Sequence, residues 1–244
     1  MAKQTSAIEA LLAIPPTSHR RKPVANKTGK STAKRPHTQA ATANDNEVDR
    51  LRQIYYVAAR LFCEQGYDAT SMNDIADAIG FTKAAVYHFI PGGKKELLYA
   101  VISYGMDTLE REVLTPARAI ADPEQRLRTI INNHVHVITR GSTAEGFNPV
   151  TVVVDEVAGL SPAHRRKIAQ RKRDYVDLMR DTLLGLKAEG KLKDIDVTVI
   201  AFSIFGMMLW LARWYRPDGH LTNAQVAEEI CKMALGGLLQ EPAL

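Results

Sequence analysis

The chain has 244 residues, 45% of them hydrophobic, and a formal net charge of +5. This length holds one small domain and one larger domain, and it leaves no room for a further catalytic domain of ordinary size. Two distant cysteines, Cys63 and Cys231, predict reduced core thiols, which excludes a disulfide-stapled secreted domain. The first residues lack the apolar core of a signal peptide, and Thr198 and Ser203 interrupt the longest apolar stretch, so we expect a cytoplasmic protein without a membrane span.

Residues 1–44 carry eight basic side chains and only one acidic side chain. The segment is also rich in Pro, Thr, Ser and Ala and poor in aromatic residues, so it cannot bury enough apolar surface to offset its chain entropy. We therefore expect a disordered basic arm. One hypothesis is that this arm attracts phosphates without sequence preference. The alternatives are a solvated extension without a role or a misassigned start codon.

A helix is predicted over residues 47–65, with apolar side chains every three or four residues and Gly66 as its stop. Two shorter helices follow. Ser71 and Asp74 have capping-box spacing for a helix that begins near Met72, and Gly80 can turn the chain. Thr82 can cap the next helix, which directs Ala85, Val86 and Phe89 inward and Lys83, Tyr87 and His88 outward. This arrangement is typical of a helix-turn-helix, whose second helix enters the major groove of DNA.

Residues 47–102 resemble the N-terminal DNA-binding domain of TetR-family transcriptional regulators. The matching positions are Ala58, Leu61, Phe62, Gly66, Tyr67, Ala69, Thr70, Asp74, Ile75, Ala76, Gly80, Tyr87, Lys94 and Leu97. One extra residue at 91–93 and an aliphatic Ile90 depart from the family pattern. The resemblance implies an all-α fold, with a three-helix DNA-binding domain at 45–93 and a larger effector-binding and dimerisation domain at 94–244.

Seven residues are the candidates for DNA contact. We expect Lys83 and Thr82 to reach base edges or phosphates, Tyr87 and His88 to donate to phosphates, and Lys94 to contact the DNA backbone as a family lysine does. Thr70 and Ser71, with the adjacent helix N-terminus, offer neutral donors to a phosphate. Simpler alternatives are a packing role for Tyr87 and a merely solvated His88.

The remaining pattern is helical, including residues 145–158, where Val-rich sequence has strand propensity but no strand to pair with. The predicted helices cover residues 94–114, 122–140, 145–158, 161–189, 196–215 and 222–239. Their caps include Asp122 before Pro123, Ser161 before Pro162, and Thr222 paired with Gln225. The last two helices are apolar on more than one face, which calls for partners on two sides. The resemblance implies that these helices form a twofold homodimer interface.

The resemblance also implies a small-molecule effector among the middle helices. Apolar and aromatic candidates for its pocket, although such side chains are more often core than ligand contacts, are Met106, Val137, Phe147, Phe205, Met208, Trp210 and Trp214. A cationic helix at 161–175, which contains Arg171, together with a Trp-rich segment at 210–219 similar to acyl-CoA-responsive family members, suggests an acyl-CoA thioester. The alternative is that the cationic face only meets water.

Other chemistry finds little support in the sequence. His134 and His136 are two apart on a helix and cannot chelate one metal ion, and no phosphate-binding glycine loop or hydrolase motif occurs. We therefore expect neither enzyme activity nor a cofactor or metal. The predicted function is a ligand-responsive, sequence-specific regulator, by default a repressor, in the cytoplasm and on the nucleoid. The alternative is a non-specific or ligand-independent DNA-binding protein of nucleoid type.

Overall fold

The computed structural model describes residues 43–140 and 159–240. Residues 1–42 of the predicted arm and the predicted helix at 145–158 lie outside this part, whereas Ala43 and Asn44, which were predicted to belong to the arm, start the first helix. The regular elements of the described part are helices, apart from a single antiparallel bridge between Leu192 and Leu239. The helices are α1 Ala43–Gln65, α2 Met72–Ile79, α3 Lys83–Phe89, α4 Gly93–Leu109, α5 Thr115–Arg118, α6 Pro123–Arg140, α7 Pro162–Ala188, α8 Val197–Trp214 and α9 Asn223–Leu238. The all-α prediction is confirmed.

Side-chain caps define the two short helices. Ser71 Oγ accepts from the Asp74 N–H at 3.2 Å, and the Asp74 carboxylate accepts from the Ser71 N–H at 2.7 Å, which completes the predicted capping box. Gly80 ends α2 with φ 75°, in the left-handed region that favours glycine. Thr82 Oγ1 then accepts from the Ala85 N–H at 3.1 Å and starts α3. Local sequence therefore sets where α2 begins and ends and where α3 begins.

A common apolar core holds α1 to α4 together. Ile54 and Phe62 from α1, Ile75 from α2, Val86 from α3 and Leu97 from α4 are fully buried. Burying a side chain of this size stabilises the fold by about 1.5–3 kcal/mol. This shared core holds α3 in place against the other helices and leaves its opposite face at the surface.

The predicted helix at 94–114 begins as expected but does not continue as a regular α-helix. After Leu109 it passes through a π-helical segment, Glu110–Leu114, before α5. Pro116 explains the change, because it lacks the N–H that would bond to the Glu112 carbonyl one α-turn earlier. That carbonyl instead accepts from Asn133 Nδ2 on α6 at 2.8 Å. Pro116 thus leaves the Glu112 carbonyl free to accept a hydrogen bond from a neighbouring helix.

The larger domain is built around α6, which packs against α7, α8 and α9. Its start is the predicted one, since Asp122 Oδ1 accepts from the Gln125 N–H at 2.7 Å. Ser161 caps α7 and Asp196 caps α8, while Thr222 and Gln225 form the predicted capping box of α9. The predicted bounds of these helices agree with the structure to within a residue or two.

The apolar stretch that Thr198 and Ser203 interrupt in the sequence folds as one continuous helix, α8. Its 18 residues are, by length and composition alone, sufficient to cross a membrane. One face, however, lies in the protein core, where Ile200, Ile204, Met208 and Leu211 are almost fully buried against the neighbouring helices. The helix is therefore assigned to the core of this domain.

Candidate nucleic-acid interface and ligand-domain core

The outer face of α3 carries three of the predicted DNA-contacting side chains. Lys83, Tyr87 and His88 are all exposed, whereas Val86 is buried in the unit formed by residues 45–93, which we call the head. Lys83 Nζ lies 5.9 Å from the centroid of the Tyr87 ring, which is one helical turn further on. The face therefore presents a cation, a phenol and an imidazole next to the capped N-terminus of the helix, where Thr82 is also exposed.

The Tyr87 ring lies beside the turn that precedes α4. A Cβ added to Gly93 would be 3.8 Å from the ring, so the two positions are already in van der Waals proximity. Gly93 has φ 69°, which a residue with a side chain rarely adopts. The turn that holds the extra residue therefore lies next to the Tyr87 ring, and Tyr87 is 37% exposed.

Thr70 does not have the placement that the phosphate-contact prediction requires. Its side chain is 1% exposed, and its hydroxyl is directed at the carbonyls of Gly66, at 2.9 Å, and Leu61, at 3.2 Å. The Thr70 N–H donates to the Tyr67 carbonyl at 3.3 Å. These bonds fix the turn after α1, so the predicted donation from Thr70 to DNA is wrong in this conformation.

The N-terminus of α2 offers fewer free donors than expected. The Ser71 N–H is already bonded to Asp74, and hydrogen bonding from Ser71 lowers the pKa of the Asp74 carboxyl and keeps it ionised. The main-chain N–H groups of Met72 and Asn73 have no helical acceptor at this position in the helix. The exposed Asn73 side chain lies beside them and was missed, although its place in the first turn signals a possible phosphate donor.

Lys94 has a structural role within the head. Its Nζ donates to the Tyr67 carbonyl at 2.9 Å and the Asp68 carbonyl at 3.3 Å, and it lies 4.4 Å from the centroid of the Tyr67 ring. These contacts tie the start of α4 to the turn that follows α1. An ammonium group has three N–H donors, so one remains for the predicted backbone contact.

Four of the predicted effector-pocket residues lie inside the larger domain. Met106, Val137, Phe205 and Met208 are buried. Phe147 lies outside the described residues. Trp210 and Trp214 are 52% and 47% exposed on the outer side of α8, so their predicted place in an interior pocket is wrong. The helical period carries these two positions round to the face opposite Met208.

Arg171 is already engaged by α4. Its guanidinium forms an ion pair with Asp107 at 2.7 Å and donates to the Ser103 carbonyl at 3.4 Å. This arrangement joins α7 to α4, and it conflicts with the prediction that Arg171 is free to bind an effector phosphate. Further along the same two helices, the rings of Tyr99 and His164 stack at 3.7 Å between centroids. Contacts of both kinds connect the larger domain to the helix that leaves the DNA-binding head.

The interior of the larger domain contains a polar pair that sequence reasoning considered only as a failed metal site. His134 Nδ1 lies 2.7 Å from the Tyr175 hydroxyl, and both residues are buried. Burial lowers the pKa of His134 to about 4 and raises that of Tyr175. Within residues 43–140 and 159–240, no three His, Cys, Asp or Glu side chains approach one another as metal ligands.

An apolar stripe remains exposed along the outside of α8 and α9. On α8 it follows the helical period, and its members are Val199, Phe202, Trp210, Trp214 and, on α9, Met233. Large apolar side chains that are half exposed at regular spacing are typical of a surface that another protein covers. The sequence has apolar residues on more than one face of the last two helices, and this stripe is the apolar face that the core does not cover.

Comparison with known proteins identifies both parts of the chain. Residues 54–101 match the bacterial regulatory proteins of the tetR family, and residues 121–238 match the tetracyclin repressor-like C-terminal domain. The chain is 28% identical over 192 residues to the transcriptional repressor KstR2 of Rhodococcus jostii, covering 78% of this chain and 91% of that protein. It is 30% identical over 198 residues to the transcriptional activator FasR of Mycolicibacterium smegmatis, covering 80% and 85%.

Solved structures agree with these matches. AibR in complex with isovaleryl coenzyme A and operator DNA is 40% identical, with a TM-score of 0.65 and coverage of 75% of this chain and 97% of AibR. The ketosteroid transcriptional regulator KstR2 of Mycobacterium tuberculosis is 27% identical, with a TM-score of 0.69 and coverage of 79% and 96%.

Proposed function

Since this chain belongs to the TetR family of bacterial transcriptional regulators, we propose that it is a homodimeric repressor released from a pseudo-palindromic operator by an acyl-CoA thioester. The observation that carries the DNA-binding part is the exposed Lys83–Tyr87–His88 face on a helix whose opposite side is locked into the head. The family consists of transcription regulators, so no catalytic residue is assigned.

The proposed contacts follow from accessibility. Lys83 stands in the first turn of α3, where side chains reach base edges when the helix lies in the major groove. Tyr87, His88, Thr82 and Ser71 are exposed at positions suited to phosphates, and we add Asn73 for the same reason. Lys94 would use its remaining N–H. We assign residues 45–93 to DNA binding and 94–244 to effector binding and dimerisation, and the basic arm at 1–44 to non-specific phosphate attraction.

The dimer is proposed from the exposed stripe on α8 and α9. Two recognition helices must meet successive major grooves about one helical turn apart, which a twofold dimer accomplishes on a pseudo-palindromic site. The stripe supplies apolar area for such an interface, and Trp210 and Trp214 find a role there.

The effector class is supported by the relatives and by the chemistry of the larger domain. AibR was crystallised with isovaleryl coenzyme A and operator DNA, and this chain is similar to it over three quarters of its length. Buried Met106, Val137, Phe205 and Met208 offer an apolar environment for an acyl chain. The cytoplasm, where DNA and acyl-CoA thioesters are both present, is the proposed location.

The test begins with selection of fragmented genomic DNA by the full-length protein at two salt concentrations. One or a few palindromic sites are expected, whereas diffuse, salt-sensitive recovery without a motif would indicate a nucleoid-type protein. The selected operator is then challenged with a panel of acyl-CoA thioesters from acetyl to palmitoyl, including isovaleryl-CoA, with free CoA as control. Release by at least one thioester but not by free CoA is the expected result.

A further inference from the structure

His134 and Tyr175 form an enclosed polar pair where α6, α7 and α8 meet. Besides the 2.7 Å contact between Nδ1 and the phenol oxygen, the two rings lie 5.7 Å apart and nearly parallel, and Phe205 of α8 packs edge-on to Tyr175 at 5.0 Å. His134 is 1% exposed. A buried pair of this kind needs every donor and acceptor to be satisfied, because an unmade hydrogen bond is costly in apolar surroundings.

The heavy-atom contact between Nδ1 and the Tyr175 hydroxyl is compatible with donation in either direction. Donation from Nδ1–H would leave both the phenol O–H and Nε2 without a partner in the described part of the chain, whereas donation from the hydroxyl leaves only Nε2–H unmatched. We therefore assign the imidazole proton to Nε2. The low pKa of His134 agrees with a neutral ring.

Nε2 is buried and has no hydrogen-bond partner among the residues that the structure describes. The pair thus leaves one buried N–H donor without a partner in the described part of the chain. The complementary group is a neutral acceptor attached to an apolar chain, and a carbonyl oxygen has both properties. A carboxylate suits the position less well, because its charge would have to be buried without a cation.

We propose that His134 Nε2–H donates a hydrogen bond to the carbonyl oxygen of the effector, the thioester carbonyl of an acyl-CoA, and so selects thioesters over ligands that lack this oxygen. This inference rests on the proposed function. Tyr175 is a positioning residue, because it holds the ring in the tautomer that donates from Nε2.

The position of the pair also connects it to the DNA-binding head. Since Nε2 is closed off from solvent, an acceptor reaches it only when the groups that cover it move. Helix α7, which carries Tyr175, is joined to α4 by the Arg171–Asp107 ion pair. A displacement of α7 would therefore act on α4 through this contact.

The experiment measures binding to the full-length protein of the tightest thioester in the panel and of its thioether counterpart, in which CH2 replaces the carbonyl. The wild type should prefer the thioester by roughly tenfold, the size of one net hydrogen bond. His134→Phe should bind both equally, and Tyr175→Phe should show a reduced preference. His136→Phe, the same change on the exposed side of α6, is the matched control and should keep the preference.

A second measurement needs no variant. In protein with 15N-labelled histidine, the buried Nε2–H signal should shift when the thioester is added and stay in place when the thioether is added. If His134→Phe keeps the wild-type preference, or if the signal ignores the thioester, the inference is overturned and Nε2 is satisfied by a buried water instead. If no thioester binds the wild type at all, the proposed function itself fails.

Discussion

Replacing Thr70 with valine separates a structural role from a DNA-contacting role. The change is nearly isosteric and removes the hydroxyl directed at the Gly66 and Leu61 carbonyls, in a position that is 1% exposed. The variant loses this hydrogen bonding and leaves a buried carbonyl oxygen without its donor, which lowers the free energy of unfolding by about 2 kcal/mol. For a chain of this size that corresponds to a fall in Tm of roughly 4–8 °C.

The assay pairs thermal unfolding, at one protein concentration, with operator binding by fluorescence anisotropy well below the Tm. Because the hydroxyl is enclosed, operator affinity at low temperature should remain within about twofold of wild type, and its salt dependence should not change. A Thr70→Val variant that is as stable as wild type but binds the operator ten times more weakly would refute the structural assignment and restore the phosphate contact.

Four further predictions concern other parts of the molecule. Lys83→Ala should weaken operator binding by about 1–3 kcal/mol and relax specificity at one base position, measured by competition with single-base operator variants; uniform weakening across variants would indicate a phosphate contact instead. Asp74→Asn should be less stable than wild type near pH 7, and the difference should vanish as the pH falls from about 4 through the lowered folded pKa, since protonation removes the charged cap; a pH-independent difference would contradict this. His134 is buried in its neutral form, so between pH 6.5 and about 4 the unfolded state binds more protons than the folded state. As the pH is lowered through that window, the free energy of unfolding should decrease by at most about 1.4 kcal/mol per pH unit. Urea titrations of His134→Phe should not show this decrease. Phe202→Arg should convert dimer to monomer in light scattering and abolish tight operator binding, whereas the same change at exposed Val48 should leave the dimer intact.

Several sequence expectations depended on local chemistry, and those agreed with the structure. The Ser71–Asp74 capping box, the Gly80 stop and the Thr82 cap lie within a few residues of the backbone groups they satisfy. The same is true of the Thr222–Gln225 box at the start of α9. Such interactions are fixed by spacing along the chain, so they can be inferred without knowledge of the packing.

Expectations about which partner a side chain meets were less secure. Trp210 and Trp214 have the composition of pocket residues, yet the rotation of α8 within the domain directs them outward. Arg171 looked free for an effector phosphate. Asp107 and the Ser103 carbonyl, which lie 68 residues or fewer before it in the chain, come within reach only because α7 crosses α4. Thr70 was likewise expected at the surface, but the turn after α1 encloses its hydroxyl.

By itself, the amino-acid sequence determined the helical class, the helix-turn-helix, the outward face of α3 and, to within a residue or two, the bounds of α6 to α9. These properties follow from periodicity and capping, which act over one or two helical turns. Tertiary structure alone decided the buried His134–Tyr175 pair, the hydrogen bond from Asn133 to the Glu112 carbonyl, and the exposed stripe on α8. Each of these depends on how helices distant in sequence rotate and cross, because a side chain's burial and its hydrogen-bond partner are set by the neighbouring helix rather than by its own.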